Sequence, residues 1–119
     1  LSLLPGDVAE IRVSGVVTPS QLRDIGGAME LARRQQAKAI VQDWRSAVVA
    51  FSGADLSLAP QWAEAELALQ LPTALVVSPA VVDLFREHAR RMATHGIFRR
   101  VFAEPEGARQ WAQARLSAG

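Results

Sequence analysis

With 119 residues, half of them hydrophobic and 21% charged, the chain is long enough to build one core and too apolar to remain disordered. It has no cysteine, which excludes disulfide staples, thiolate metal sites and a cysteine nucleophile, and no run of about 18 apolar residues, which excludes a membrane-spanning helix. Thirteen Lys plus Arg against twelve Asp plus Glu leave a formal charge of +1, so no whole-protein field draws the chain to nucleic acid. Leu1 is not a start methionine and no signal-peptide pattern follows it, so the expectation is a trimmed or incomplete beginning and a cytoplasmic protein.

The opening predicts a hairpin. Leu1 to Leu4 is a short apolar stretch, Pro5-Gly6-Asp7 is a turn cluster, and Val8 to Val13 alternates polar and apolar residues until Gly15 breaks the run. Thr18-Pro19-Ser20-Gln21 then supplies a helix start, with Thr18 as N-cap, Pro19 at the first helical position and Gln21 closing a capping box. Leu22, Ile25, Met29 and Ala32 follow as one helical stripe, in which Gly26-Gly27 weakens the helix or permits close approach to a neighbour. Ala39-Ile40-Val41 is a compact buried strand ending at Asp43-Trp44-Arg45-Ser46, and the apolar stretch Ala47 to Phe51 lies beyond it.

Ser52-Gly53-Ala54-Asp55 is a turn leading into a helix over roughly Leu56 to Gln70, closed by Pro72. Thr73 to Val77 is the next buried strand. Ser78-Pro79 opens a helix with Val81, Phe85, Ala89 and Met92 on one face and His95-Gly96 as its stop. Ile97 to Phe102 is another strand, and Glu104-Pro105-Glu106 starts a last helix carrying Ala108, Trp111, Ala112 and Leu116. The alternation predicts a single α/β domain over residues 1–119: a mainly parallel, mixed sheet of about five strands with an antiparallel N-terminal strand, and about four helices.

Chemistry is sparsely signalled. There is no glycine-rich phosphate loop and no Gly-x-Ser-x-Gly elbow around Ser52, and Asp83 and Glu87 do not stand at a recognised metal-ligand spacing, so no cofactor or metal is implied. His88 and His95, two helical turns apart, suit packing and helix-end roles; a hydrolase built on either is the enzymatic alternative to a non-catalytic domain. Arg86, Arg90, Arg91, Arg99 and Arg100 form the one local charge excess, either a patch for an acidic partner or a solvated face. No aromatic residue is interleaved there for stacking on bases. Asp43, Arg45, Ser46 and Ser52 lie at or just beyond the carboxyl end of a central parallel strand, the edge at which open α/β sheets bind ligands; the plain reading is a strand-ending Asp and ordinary turn serines. If Ala47 to Phe51 is exposed, Phe51 joins them as a docking surface for a partner protein or a small apolar ligand. Exposure of both Trp62 and Leu67 on the second helix would call for a homodimer or another partner to cover them.

Three strings carry a family resemblance: Val13-Ser14-Gly15-Val16-Val17-Thr18, Ala39-Ile40-Val41-Gln42-Asp43, and Val101-Phe102-Ala103-Glu104-Pro105-Glu106-Gly107-Ala108-Arg109-Gln110-Trp111. With the order of elements, they resemble the STAS-like superfamily, the SpoIIAA-like fold of anti-sigma-factor antagonists shared with CRAL-TRIO lipid-transfer relatives, and in particular its small bacterial members of unknown function. The resemblance implies a non-catalytic regulatory domain. Classical members carry a phosphorylatable serine preceded by aspartate after the central strand. Ser52 falls at that serine, Phe51 stands where the aspartate would be, and Ser46 is the second candidate acceptor. A phosphate on Ser52 would gain from a helix dipole and be repelled by Asp55.

Overall fold

A computed structural model describes residues 1–57 and 65–118. Ser2–Leu4 (β1) and Val8–Val17 (β2) form the expected hairpin, with Ser2, Leu3 and Leu4 opposite Arg12, Ile11 and Glu10 in antiparallel register. Gly6, in the turn between them, has φ of 151°, a backbone conformation that side chains with a Cβ rarely adopt. At the end of β2 the Thr18 amide donates to Gln21 Oε1 at 2.8 Å, the reciprocal half of the expected capping box. A 3₁₀ turn over Pro19–Gln21 then leads into α1, Leu22–Arg34, whose buried stripe is Leu22, Ile25, Gly26, Met29 and Ala32.

The central strand is longer than the sequence predicts. Residues Ala39–Val49 form β3, eleven residues paired in parallel with β2 from Val8↔Ala39 to Val17↔Val49. The register moves from Arg12↔Asp43 to Ser14↔Ser46, so two residues of β2 span three of β3. This bulge absorbs the extra residue and lets Trp44 and Ala47, three apart, both pack inward; strict alternation would turn one of them out. Gly15 likewise does not end β2. At φ of 76° it stays paired with Ala47.

Helix α2, Gly53–Ser57, begins ahead of the expected Leu56, and a 3₁₀ turn over Ala68–Gln70 occupies the far end of the span expected to be helical. Residues 58–64, with Pro60 and Trp62, lie outside the described residues, so the homodimer condition is met only in its Leu67 half, at 64% exposure. Thr73–Val76 (β4) is followed by a 3₁₀ turn over Pro79–Val81 and by α3, Val82–Ala93, which buries Phe85, His88 and Met92. The Gly96 and Ile97 amides donate to the Ala93 and Met92 carbonyls at 3.0 and 3.1 Å, closing α3 with Gly96 at φ of 73°. Arg99–Phe102 (β5) and Pro105–Ala118 (α4) complete the chain.

The five strands lie in chain order, β1-β2-β3-β4-β5, with β1 antiparallel and the rest parallel. Stepping one strand at a time in one direction, right-handed crossovers put every intervening helix on the same face. Packing agrees: Ile25 and Met29 of α1, Leu56 of α2 and Phe85 of α3 meet Ala9, Ile11, Ile40, Trp44 and Leu75 in one core. Trp44 anchors it, with its ring centroid 5.0 Å from Phe85 and 5.8 Å from Phe51.

Among the described residues, helix α4 covers the other face. Ala108 and Ala112, with no exposed surface, sit on Ala39, Val41, Ala74 and Val76, small residues that let the helix lie close. Its two flanks are fixed differently. On the β2 side Arg109 Nε donates to Glu10 Oε1 at 2.6 Å. On the β5 side the Arg115 guanidinium carbon lies 4.9 Å from the Phe98 ring and 5.3 Å from Trp111, while Trp111 meets Phe102 at 6.0 Å.

Candidate functional site

The residues proposed from sequence separate into three groups. Asp43 and Arg45, two apart on β3, point to the α4 side of the sheet, where Arg45 Nε and Nη2 grip Asp43 Oδ1 and Oδ2 at 3.0 and 2.8 Å. The Arg45 hydrogen bond holds the Asp43 carboxyl below the usual aspartate range, with Arg12 on β2 adding to it, and the same contact raises the Arg45 pKa, with Glu104 adding to that. Ser46 is exposed on the bulge. Phe51 turns the other way and packs half-buried on Trp44, so it belongs to the main core and not to an open surface.

Ser52 makes the third group, and its chemistry is that of a helix cap. Its amide and hydroxyl both donate to Asp55 Oδ2, at 2.8 and 3.0 Å, and its Oγ accepts the Asp55 amide at 3.1 Å. A phosphoryl group on Oγ would break this reciprocal cap and face the Asp55 carboxylate.

Beyond the polar Ser14, Arg45 and Ser46, the carboxyl ends of β2 and β3 expose two large apolar residues. Val16 and Val48 are register partners on adjacent strands and are 58% and 59% exposed, beyond the reach of α4. Beside them a cleft of about 100 Å³ is lined by Leu1, Val13, Val16, Val17 and Ile25, with Ser14, Gln21 and Asp24 as its polar wall. Sequence reasoning placed Val48 in the apolar stretch after the strand but passed over Val16. The signal was present: both valines sit one residue before the end of a strand.

A second constellation lies inside the three-helix core, scarcely signalled by residue pattern. Gln42 on β3 accepts the Trp44 indole N–H at 2.9 Å and donates to Met29 Sδ at 3.2 Å; Ser57 Oγ lies 3.1 Å from His88 Nδ1. Arg99, half-buried, donates to the Leu71 and Phe98 carbonyls from Nη1 and to Leu69 from Nη2, at 3.0 to 3.2 Å. These groups meet Leu56, Leu75, Phe85 and Met92 around a cavity of about 10 Å³, space for roughly one water. Burial, then the Arg99 and Arg91 charges, lowers the His88 pKa to about 3, and burial lowers Arg99 to about 10.

Ser57 and His88 are in contact, yet the electrostatics oppose nucleophilic catalysis. A histidine base gains strength from a carboxylate behind it; here the neighbouring charge is a guanidinium, which weakens it. His95 stands apart at the end of α3 and does not join this group. Nor do the arginines from Arg86 to Arg100 form one free patch: Arg86 is exposed on α3. Arg90 and Arg91 pair with Glu87, Arg99 turns into the core, and Arg100 lies over Phe102 at 5.6 Å. Among the described residues no group of His, Asp and Glu could hold a metal ion, and no helix is long and apolar enough to cross a membrane. The chain matches no protein-family model, no curated protein and no solved structure.

Proposed function

We propose that this chain is a non-catalytic, STAS-like binding domain with a regulatory role, which docks a partner protein on the carboxyl ends of β2 and β3. The observation that carries this reading is the exposed pair Val16 and Val48. Two adjacent strands of the sheet carry paired valines near their carboxyl ends, each more than half exposed, beside a cleft sized for one partner side chain. The rigid Asp43–Arg45 pair supplies a polar rim on the same face of β3.

A protein partner is favoured over a small apolar ligand because the cavity inside the three-helix core is partly polar and holds no more than about one water. The STAS-like assignment is supported by the order of elements and by strands that follow one another across the sheet. In a phospho-switched version of this domain Ser46 is the freer acceptor, exposed on the bulge, whereas Ser52 is engaged with Asp55.

The test is site-specific cross-linking in cells. A photoreactive residue placed at Val48 is expected to give a discrete protein adduct that the Val16→Asp substitution abolishes, while the same residue at Arg86 gives none. Equal labelling at the two positions, or an adduct indifferent to Val16→Asp, would reject this surface.

A further inference from the structure

A second open side of the molecule is the outer edge of β5, at the end of the sheet opposite β1. Its Phe98 and Phe102 carbonyls accept the Thr73 and Val77 amides at 3.2 and 3.0 Å, so these residues face β4. By the alternation of a strand, the backbone N–H and C=O groups of Arg99 and Val101 face away from β4, where no further strand lies among the described residues. An edge of alternating donors and acceptors is matched by another extended polypeptide.

The side chains beside that edge are cationic and ordered. Arg100 lies over the Phe102 ring and Arg115 over Phe98 and Trp111. Neither makes an ion pair among the described residues, whereas Arg33 and Arg34 share Glu30 and Arg90 and Arg91 share Glu87. Contact with a ring positions a guanidinium without consuming its N–H donors, so both arginines keep their carboxylate-binding forks. Phe98, on the same side of the strand, is 56% exposed.

We propose that the β5 edge, with Arg100 and Arg115, docks an extended acidic segment of a partner protein, added as a further strand with carboxylates at alternate positions facing the two guanidiniums. Period-two spacing puts alternate side chains of the added strand on the α4 side, where both arginines stand. A second copy of this chain is disfavoured, because edge-to-edge pairing would bring its arginines against these. A nucleic acid is disfavoured because a sugar-phosphate backbone cannot continue the amide ladder of Arg99 and Val101. This surface is separate from the Val16–Val48 face.

The experiment uses fluorescein-labelled peptides of about ten residues that alternate Glu with Val, against a control with Lys for Glu, and a labelled single-stranded oligonucleotide. Anisotropy is expected to show binding of the Glu peptide alone, weakened by salt, and lowered roughly tenfold by Arg100→Gln with Arg115→Gln. Arg115→Lys, which keeps the charge but loses the planar fork, is expected to recover only part of the binding that Arg115→Gln loses, and circular dichroism checks that each variant is folded. On the unmodified protein, the amide resonances of Arg99 and Val101 are expected to move most on titration with the Glu peptide. Equal binding of the Lys peptide, peptide-induced shifts confined to other strands, or arginine-dependent binding of the oligonucleotide in place of the peptide would each overturn the proposal.

Discussion

The two faces of the sheet are built on opposite plans. The face under α1, α2 and α3 holds the large side chains, Trp44, Phe85, Ile11 and Met29 among them, and admits Gln42, His88 and Ser57 only with hydrogen-bond partners. The face under α4 is closed by alanines and small aliphatic residues, is fixed at its flanks by arginines, and stops short of the strand ends. Dense packing on one face provides the stability; shallow packing on the other leaves backbone and side chains free to meet a partner. A protein this small has little apolar area to divide between the two, so the asymmetry separates scaffold from surface.

Trp44→Ala should break this contrast most severely. It removes the ring shared by Phe51 and Phe85 and leaves Gln42 without its indole donor, so a loss of about 3–5 kcal/mol is expected in urea denaturation. An effect below about 1 kcal/mol would mean that the three-helix face is not the principal core.

The buried histidine gives a prediction of different kind. Its folded pKa of about 3 lies below its ordinary value of 6.5, so the unfolded chain takes up the proton first. The contribution of His88 is therefore complete above 6.5 and is lost as pH falls toward 3, at up to about 1.4 kcal/mol per pH unit. His88→Gln should flatten the stability profile across this range relative to the parent chain; parallel profiles would contradict a neutral, enclosed imidazole.

On the shallow face, Ala112→Leu forces bulk between α4 and the alanine and valine floor, with an expected cost of about 1–3 kcal/mol. Thermal unfolding would read it, and a neutral result would show that α4 has room to lift.

Most of the architecture was legible because period and punctuation agree in this chain. The Leu22–Ile25–Met29–Ala32 stripe, the Thr18-Pro19 and Ser78-Pro79 starts and the Gly96 stop each have a local physical cause. The bulge in β3 was not legible. Arg45 and Ser46 are consecutive polar residues, which look like the end of a strand unless the partner strand's register is known. That one miss redirected the candidate site, since the bulge decides which of the residues from Asp43 to Val49 face the core. Gln42 and Arg99 were missed as interior groups because polarity in a short strand resembles solvent exposure; only the indole and the carbonyls that meet them reveal otherwise.

The order of strands bears also on how the molecule comes together. Each strand after β1 joins the one made just before it, so no strand must wait for a distant strand to emerge during synthesis. Assembly of the sheet can advance in one direction, each new strand closing on its predecessor in the sequence. Among the described residues, α4 arrives from outside that progression. Helix α4 then caps a surface already laid down, closing the α4 face after the strands beneath it have paired.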